Sequence, residues 1–388
     1  EIRNFARRLT SNAKKKDLPV IETLENPSAS LNISRQLGGN RSYWAQRLTE
    51  VTDSEAKVFC KYKLSLDSLR DEVKPKLVTS IIPSWGGKAR TVSKSSSEWQ
   101  AVGRPLNDLC IKILRRDPFF SSQLTGERAG KVLERRMRQA YRGPYNQSLA
   151  EKRFWFSADL TRSTNFISHR LARECWIGFG GTLLEKNLIT KDQFDIGFRL
   201  LGEADFGEVI KTSKGDQFKT SFTSKRGIAM GLPLVWPMLN IILAFVAKSV
   251  DEAAIAVVHG DDLLAYWSKE QVNKFYKLME LLGMKVNASK SYFGFFGLFC
   301  EEIYTLRMLS RRAEDQTFAT KLISKGLKNK PHTPPKKSRR LSRSPNRKKT
   351  GVRFGDDTES THAESPASIK RRLNAEFYAQ QKRLWLND

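Results

Sequence analysis

Four cysteines and four histidines in 388 residues leave little soft-metal or redox chemistry open to this sequence. Cys60, Cys110, Cys175 and Cys300 stand far apart with no metal-ligand spacing, the usage expected of a reduced, intracellular compartment. Acid is scarce relative to base: 41 Asp and Glu face 68 Lys and Arg, a formal net charge of +27. Such an excess calls for a polyanionic partner, nucleic acid first and an anionic membrane surface second. Long hydrophobic runs are also missing. The most apolar stretch, Gly231 to Ala247, is short for a bilayer span and carries Pro233 and Pro237. It reads as a buried loop and helix, and no integral membrane segment is expected. No signal-peptide pattern opens the chain, and its first residue is Glu1, so a processed chain or a fragment is expected. The length allows a large core shared by two or three subdomains.

The chain is organised around Ala253 to Trp267. Two short apolar runs flank His259-Gly260-Asp261-Asp262, which has turn chemistry, and the reading is a β-hairpin with adjacent carboxylates at its tip. Neighbouring carboxylates repel unless water, a base or a divalent cation compensates them, and hard oxygen ligands suit Mg²⁺. A solvated acidic turn is the plain alternative.

Other segments add chemistry in order. Residues 1–75 are charged and weakly periodic, and read as an N-terminal extension with surface helices packed outside the main fold. Between Val78 and Lys94 a strand enters, Gly86-Gly87 turns, and a strand leaves with Lys88, Arg90 and Lys94 on one face. That arrangement suits a triphosphate or, more plainly, a solvated basic hairpin. Arg128 to Arg142 alternates an apolar face with a basic one bearing Arg135 and Arg138, a helix fit to face nucleic acid or solvent. An aromatic strand, Phe154 to Phe156, leads to Asp159. Arg162 to Asn165 then opens a helix through Phe166, Leu171 and Trp176, with Ser163 or Thr164 as its cap. Lys225, Arg226, Gly227 and Gly231 form a basic, flexible loop before an apolar helix with Pro237 in its first turn. Ser268 and Gln271 form a capping box on a core-packing helix ended by Gly283. Met284 to Lys290 reads as a short edge segment, and Tyr292 to Ile303 as a second hairpin. From Gly326 to Thr350 the composition turns to Lys, Arg, Ser and Pro without acid, which reads as disorder. This tail fits nonspecific RNA contact, a nuclear localisation signal, a solvated linker or a docking site for a viral or host protein. Residues 366–385 regain the periodicity of an amphipathic basic helix.

The ordered set is Gly86-Gly87-Lys88-Ala89-Arg90, Ser157-Ala158-Asp159-Leu160, Arg226-Gly227 through Met230-Gly231-Leu232-Pro233, Gly260-Asp261-Asp262, then Lys290-Ser291 and Gly297 to Glu301. Over about residues 78–305 it resembles the motifs of viral RNA-dependent RNA polymerases, most of all the narnavirus and ourmiavirus-like (botourmiavirus) group. The resemblance implies an α+β right-hand polymerase with fingers, a palm built on an antiparallel sheet flanked by helices, and a short thumb. Fingers would occupy 76–152, palm 153–300 with a fingers insertion about 180–220, and thumb 301–325, followed by a basic tail at 326–365 and a C-terminal helix at 366–388. It implies replication of a small positive-strand RNA genome from an RNA template and nucleoside triphosphates, in the host cytoplasm, with mitochondrion or nucleus as alternatives. Asp159, Asp261 and Asp262 would hold Mg²⁺ or Mn²⁺ for two-metal nucleotidyl transfer. Lys290, or Lys285, would protonate the leaving group. Lys88 and Arg90 would hold the triphosphate, Asn165, Gly231 and Asn240 would meet the nucleotide, and Lys225, Arg226, Arg135 and Arg138 would track RNA.

The chain departs from the family pattern at Ser84-Trp85, where Glu-Arg is usual, at Asn165, where a second Asp is usual, and at Val235, where Ser or Thr is usual. The rivals are a weakened or inactive polymerase-like RNA-binding protein and a reverse transcriptase. The latter prefers an aromatic or Met pair before Asp-Asp, where His259-Gly260 stands here.

Overall fold

Runs of β-branched and aromatic residues form strands at Lys76–Ser84 (β1), Lys88–Lys94 (β2), Phe154–Ala158 (β3), Asp205–Thr212 (β4), Gly215–Thr223 (β5), Ala256–His259 (β6), Asp262–Trp267 (β7), Tyr292–Gly294 (β8), Phe296–Phe299 (β9) and Glu302–Thr305 (β10). Helical periodicity forms Ile2–Leu9 (α1), Gly39–Arg47 (α2), Ser54–Ser68 (α3), Ser97–Leu114 (α4), Ala129–Arg142 (α5), His169–Glu185 (α6), Lys191–Leu200 (α7), Val235–Val250 (α8) and Lys269–Leu281 (α9). This computed structural model describes residues 1–17, 28–84, 88–117, 119–120, 129–142, 153–212, 215–300 and 302–305. The chain divides into Glu1–Thr320 and Lys321–Asp388. The second unit lies outside the described residues, and with it the expected basic tail and C-terminal helix. Most of the expected thumb, Gly86, Gly87, and the side chains of Lys88 and Arg90 lie outside them too.

The central sheet runs β6-β7-β3-β8, antiparallel throughout. Its strands are apolar on both faces, so both must be covered. Phe156, Ala158, Val258, Leu263, Ala265 and Trp267 join a core with α8, where Ile241, Ile242 and Leu243 are fully buried, and with Phe275 and Met279 of α9. The alternate residues Trp155, Val257 and Leu264 face the other way and pack with Val132, Leu133 and Met137 of α5 and with Phe299 and Tyr304 of the β9–β10 hairpin. This is an α+β architecture with the antiparallel, helix-flanked sheet expected of a polymerase palm. The 292–303 segment differs from a single hairpin: β8 joins β3 in the central sheet, and the hairpin proper is β9–β10.

A second sheet, β2-β1-β4-β5, unites two distant segments. β1 pairs antiparallel with β2 and parallel with β4, so the expected insertion near 180–220 delivers its β4–β5 hairpin to the edge of the basic hairpin.

The described part of residues 1–75 contributes anchors to the main core. Phe5 and Ala6 of α1, and Tyr62 and Leu69 in and after α3, are buried in the main core. Phe5 meets Phe245 of α8 at 5.7 Å between ring centroids. Gly178 lets α1 approach α6, because a Cβ there would stand 2.2 Å from Arg3 O. Asp17, with its side chain 0% exposed, receives a two-pronged Arg116 guanidinium and has Lys112 at 3.9 Å. Weak periodicity concealed these roles because each segment is short and contributes only one or two anchors.

Candidate active site

Strand register brings the carboxylates together. Ala158 pairs with Leu263 and His259 with Asp262, so Asp159, one residue beyond β3, emerges at the same end of the sheet as the hairpin tip. Gly260 turns that tip with φ +62°, and a Cβ there would press Trp236 Nε1 at 3.3 Å. The buried Gly260 N–H donates to Asn240 Oδ1 at 3.0 Å, and Asn240 Nδ2 donates to Trp236 O at 2.8 Å. Trp236 packs edge-on against His259, 5.3 Å between centroids. Asn240, expected to meet the nucleotide, is 1% exposed and bonds the tip to α8.

Asp159 is 21% exposed and is bound to the segment after α9. Leu160 bridges Val286, and Asn287 N–H donates to Asp159 O at 2.8 Å. Lys290 Nζ stands 3.1 Å from Asp159 Oδ2, and Asn287 Nδ2 reaches the same oxygen at 3.4 Å. Lys290 is therefore the cation beside the carboxylates. Lys285 instead lies over the Phe166 ring at 5.2 Å. The expected edge segment is a bridge followed by a turn, because the Asn287 carbonyl captures Lys290 N–H and Ser291 N–H.

The electrostatics are those of crowded acids. Burial raises the Asp261 carboxyl pKa, and Asp159 raises it further; Lys290 and His259 oppose the shift. Burial also raises Asp262, with Asp261 and Asp159 adding to it, while the Cys300 thiol, 3.5 Å from Asp262 Oδ2, opposes it. Burial, and then Asp262, push the Cys300 thiol up to about 12. Part-buried carboxylates that raise one another lack positive charge, and their hard oxygens match Mg²⁺ or Mn²⁺ in donor type. The arrangement, however, does not close a metal site. Among the described residues, no three His, Cys, Asp or Glu side chains are placed to hold one ion.

The glycine loop is fixed against this end. Gly227, at φ +89°, donates its N–H to Ile167 O at 2.9 Å, and Ile228 N–H donates to Thr164 O at 3.0 Å. The loop therefore lies along the exposed Asn165. Ser163–Phe166 is a 3₁₀ turn rather than a helix start, entered through Arg162 at φ +46°. The true cap of α6 is Ser168, whose hydroxyl accepts Leu171 N–H. Gly231, at φ +114°, approaches β2 so closely that a Cβ would stand 2.4 Å from Ser93 O. This contact ties the loop to the strand that carries Lys88 and Arg90. Val235 is buried at the start of α8.

The expected RNA contacts divide. Lys225 is exposed. Arg226 donates to Phe166 O and Gly283 O, each at 2.8 Å, and pins the loop to the end of α9. Arg138 pairs with Glu134, and Arg135 is exposed. Their helix, α5, meets the hairpin at its base, where buried Arg136 donates to Ala254 O at 2.6 Å and to Ala256 O. The structure therefore gathers Asp159, Asp261, Asp262 and Lys290, and sets α5 against the far end of the hairpin. Sequence reasoning missed Trp236, Asn287 and Cys300. Only Asn287 carried a signal, its place three residues before Lys290.

No known family profile matches the chain. The RNA-directed RNA polymerase of Saccharomyces 23S RNA narnavirus is 25% identical over 271 residues, which cover 64% of this chain and 26% of that protein. The chain thus spans about a quarter of the length of the curated relative it matches. A solved structure, the insertion-loop deletion mutant of the RNA-dependent RNA polymerase of a human picobirnavirus, aligns with TM-score 0.43 and 11% identity over 60% of this chain and 44% of that one. By its sequence match and the order of its motifs, the chain is similar to the narnavirus-like viral RNA-directed RNA polymerases.

Proposed function

We propose that the chain carries the catalytic palm and fingers of an RNA-directed RNA polymerase that copies a small positive-strand RNA genome from RNA template and nucleoside triphosphates. The observation that carries this reading is the meeting of Asp159 with Gly260-Asp261-Asp262 at one end of an antiparallel sheet, in a chain related to a narnavirus polymerase. Asp159, Asp261 and Asp262 are the residues that would hold Mg²⁺ or Mn²⁺. Bound there, such ions supply charge stabilisation to the attacking and leaving oxygens of phosphoryl transfer. Lys290, already beside Asp159, is the group to hold a proton for the departing pyrophosphate. Lys88 and Arg90 leave the β1–β2 turn on alternate residues of β2 and bind the triphosphate. Asn165 faces solvent beside the glycine loop and contacts the ribose. The strongly basic chain tracks the RNA backbone, with Lys225 among the contacts. The host cytoplasm is the proposed compartment.

Purified protein with an RNA primer–template, nucleoside triphosphates and Mg²⁺ or Mn²⁺ tests this. Wild type extends the primer, and Asp261→Ala abolishes extension while retaining RNA. Wild type that binds RNA but incorporates nothing is a polymerase-like RNA-binding protein. Extension that requires deoxynucleotides makes it a reverse transcriptase.

A further inference from the structure

Asp159 has an internal cation that Asp261 and Asp262 do not share as a bonded partner. Lys290 Nζ, 3.1 Å away, and Asn287 Nδ2, 3.4 Å away, both fall on its Oδ2. The loop is built to keep them there. The Asn287 carbonyl accepts Lys290 N–H at 3.1 Å, Ser291 N–H at 2.9 Å and the Ser291 hydroxyl at 2.8 Å. Ser289 Oγ donates to Asn287 Oδ1 at 2.8 Å, which orients the amide so that Nδ2 meets Asp159. One residue, Asn287, is thereby bonded to both the carboxylate and the backbone that delivers the ammonium.

We propose that Lys290, seated by the Asn287 turn, is the resident counter-ion of Asp159, and that a divalent cation gains this carboxylate only by displacing the lysine. The inference rests on the reading that these carboxylates take Mg²⁺ or Mn²⁺. Exchange is feasible because the Lys290 side chain is 59% exposed, so the released ammonium moves into water on a flexible stem. Coupling of this kind is reciprocal: the ion loosens Lys290 by the factor by which Lys290 weakens the ion. Metal loading then frees the ammonium for the phosphate of an incoming nucleotide.

Mn²⁺ binding to the full chain, followed by loss of the free-ion paramagnetic resonance signal at low salt, tests the proposal. Lys290→Met binds Mn²⁺ about two- to fivefold more tightly than wild type, the range set by a partly exposed ion pair. Lys290→Arg stays near wild type, and adding Asp159→Asn to Lys290→Met removes the gain. In wild type, reductive methylation of Lys290, read by mass spectrometry, rises when Ca²⁺ is added while that of Lys269 does not. Unchanged or weaker Mn²⁺ binding by Lys290→Met overturns the proposal, as does an absence of Mn²⁺ binding in both proteins or Lys290 labelling indifferent to Ca²⁺. Primer extension by wild type judges the polymerase reading separately. Exchange without incorporation keeps the counter-ion and loses the polymerase, and incorporation without exchange does the reverse.

Discussion

Asn240→Ala distinguishes a residue that touches nucleotide from one that holds the hairpin tip. In the structure its Oδ1 accepts the buried Gly260 N–H at 3.0 Å and its Nδ2 reaches Trp236 O at 2.8 Å. Alanine leaves the Gly260 donor buried and unmatched, which costs about 1–3 kcal/mol. At about 2–4 °C per kcal/mol for a large domain, the melting temperature falls by several degrees. Asn240→Leu restores volume without the acceptor, so it recovers packing and keeps most of the loss. Urea unfolding is the assay, with a lower midpoint and an unchanged slope as the signature of lost stability. In primer extension the same variants lower kcat, because the carboxylates lose their fixed turn, and leave the ratio of ribo- to deoxynucleotide incorporation alone. A variant with the wild-type urea midpoint but altered sugar preference would refute this reasoning and return Asn240 to the nucleotide.

Three further outcomes follow. Gly231→Ala destabilises by about 1–2 kcal/mol for its left-handed backbone alone. The 2.4 Å clash with Ser93 O also shifts β2, so KM for nucleotide rises in steady-state kinetics. Arg116→Ala leaves the buried Asp17 carboxylate to Lys112 at 3.9 Å and the Lys14 N–H, and costs about 1–3 kcal/mol in urea unfolding. Asp17→Asn costs less, because the Arg116 side chain is 40% exposed and stays hydrated. The Arg116 guanidinium holds the Asp17 carboxyl well below the usual carboxylate range, so this stabilisation is complete at neutral pH and is lost as pH falls below about 4. Asp261 has the opposite sign: its raised pKa favours the neutral form, so its charge weakens the metal-free fold as pH climbs above about 4. Asp261→Asn therefore raises the urea midpoint at pH 7 without metal, and the gain shrinks in acid; a lower midpoint at pH 7 contradicts it.

The features legible in the sequence were those written in local periodicity. The capping box at Ser268 and Gln271 forms as expected, and the 256–267 run forms its hairpin with the turn at Gly260-Asp261. The apolar 231–247 stretch becomes a loop and a buried helix, and no described helix is long and apolar enough to cross a membrane. Features set by pairing over long separations were hidden. Nothing in the alternation of β4 and β5 says that they join β1, because strand partners are chosen by the packing of the whole sheet. The polar contacts of Asn240 and Arg226 were hidden for a related reason. Each side chain is chemically fit for a phosphate or a ribose, and only the fold shows that a nearby backbone group reaches it first.

This competition gives Asn240 and Arg226 contacts within the fold that their places in the linear motifs did not announce. A polymerase-like palm needs acids held in fixed relation, yet the acids repel and all three are part-buried. Side chains alone cannot hold them, so the backbone must. The Asn240 side chain holds Gly260 N–H, Asn287 N–H holds Asp159 O, and the Arg226 side chain spans Phe166 O and Gly283 O, so each contact ends on a main-chain atom. Residues that look most like ligand contacts in a linear motif are then the ones most suited to this work, because strong donors and acceptors are what a strained loop requires. Asn165 and Lys225 are among the expected contacts that face solvent, and their substitution should alter substrate handling without first altering the fold.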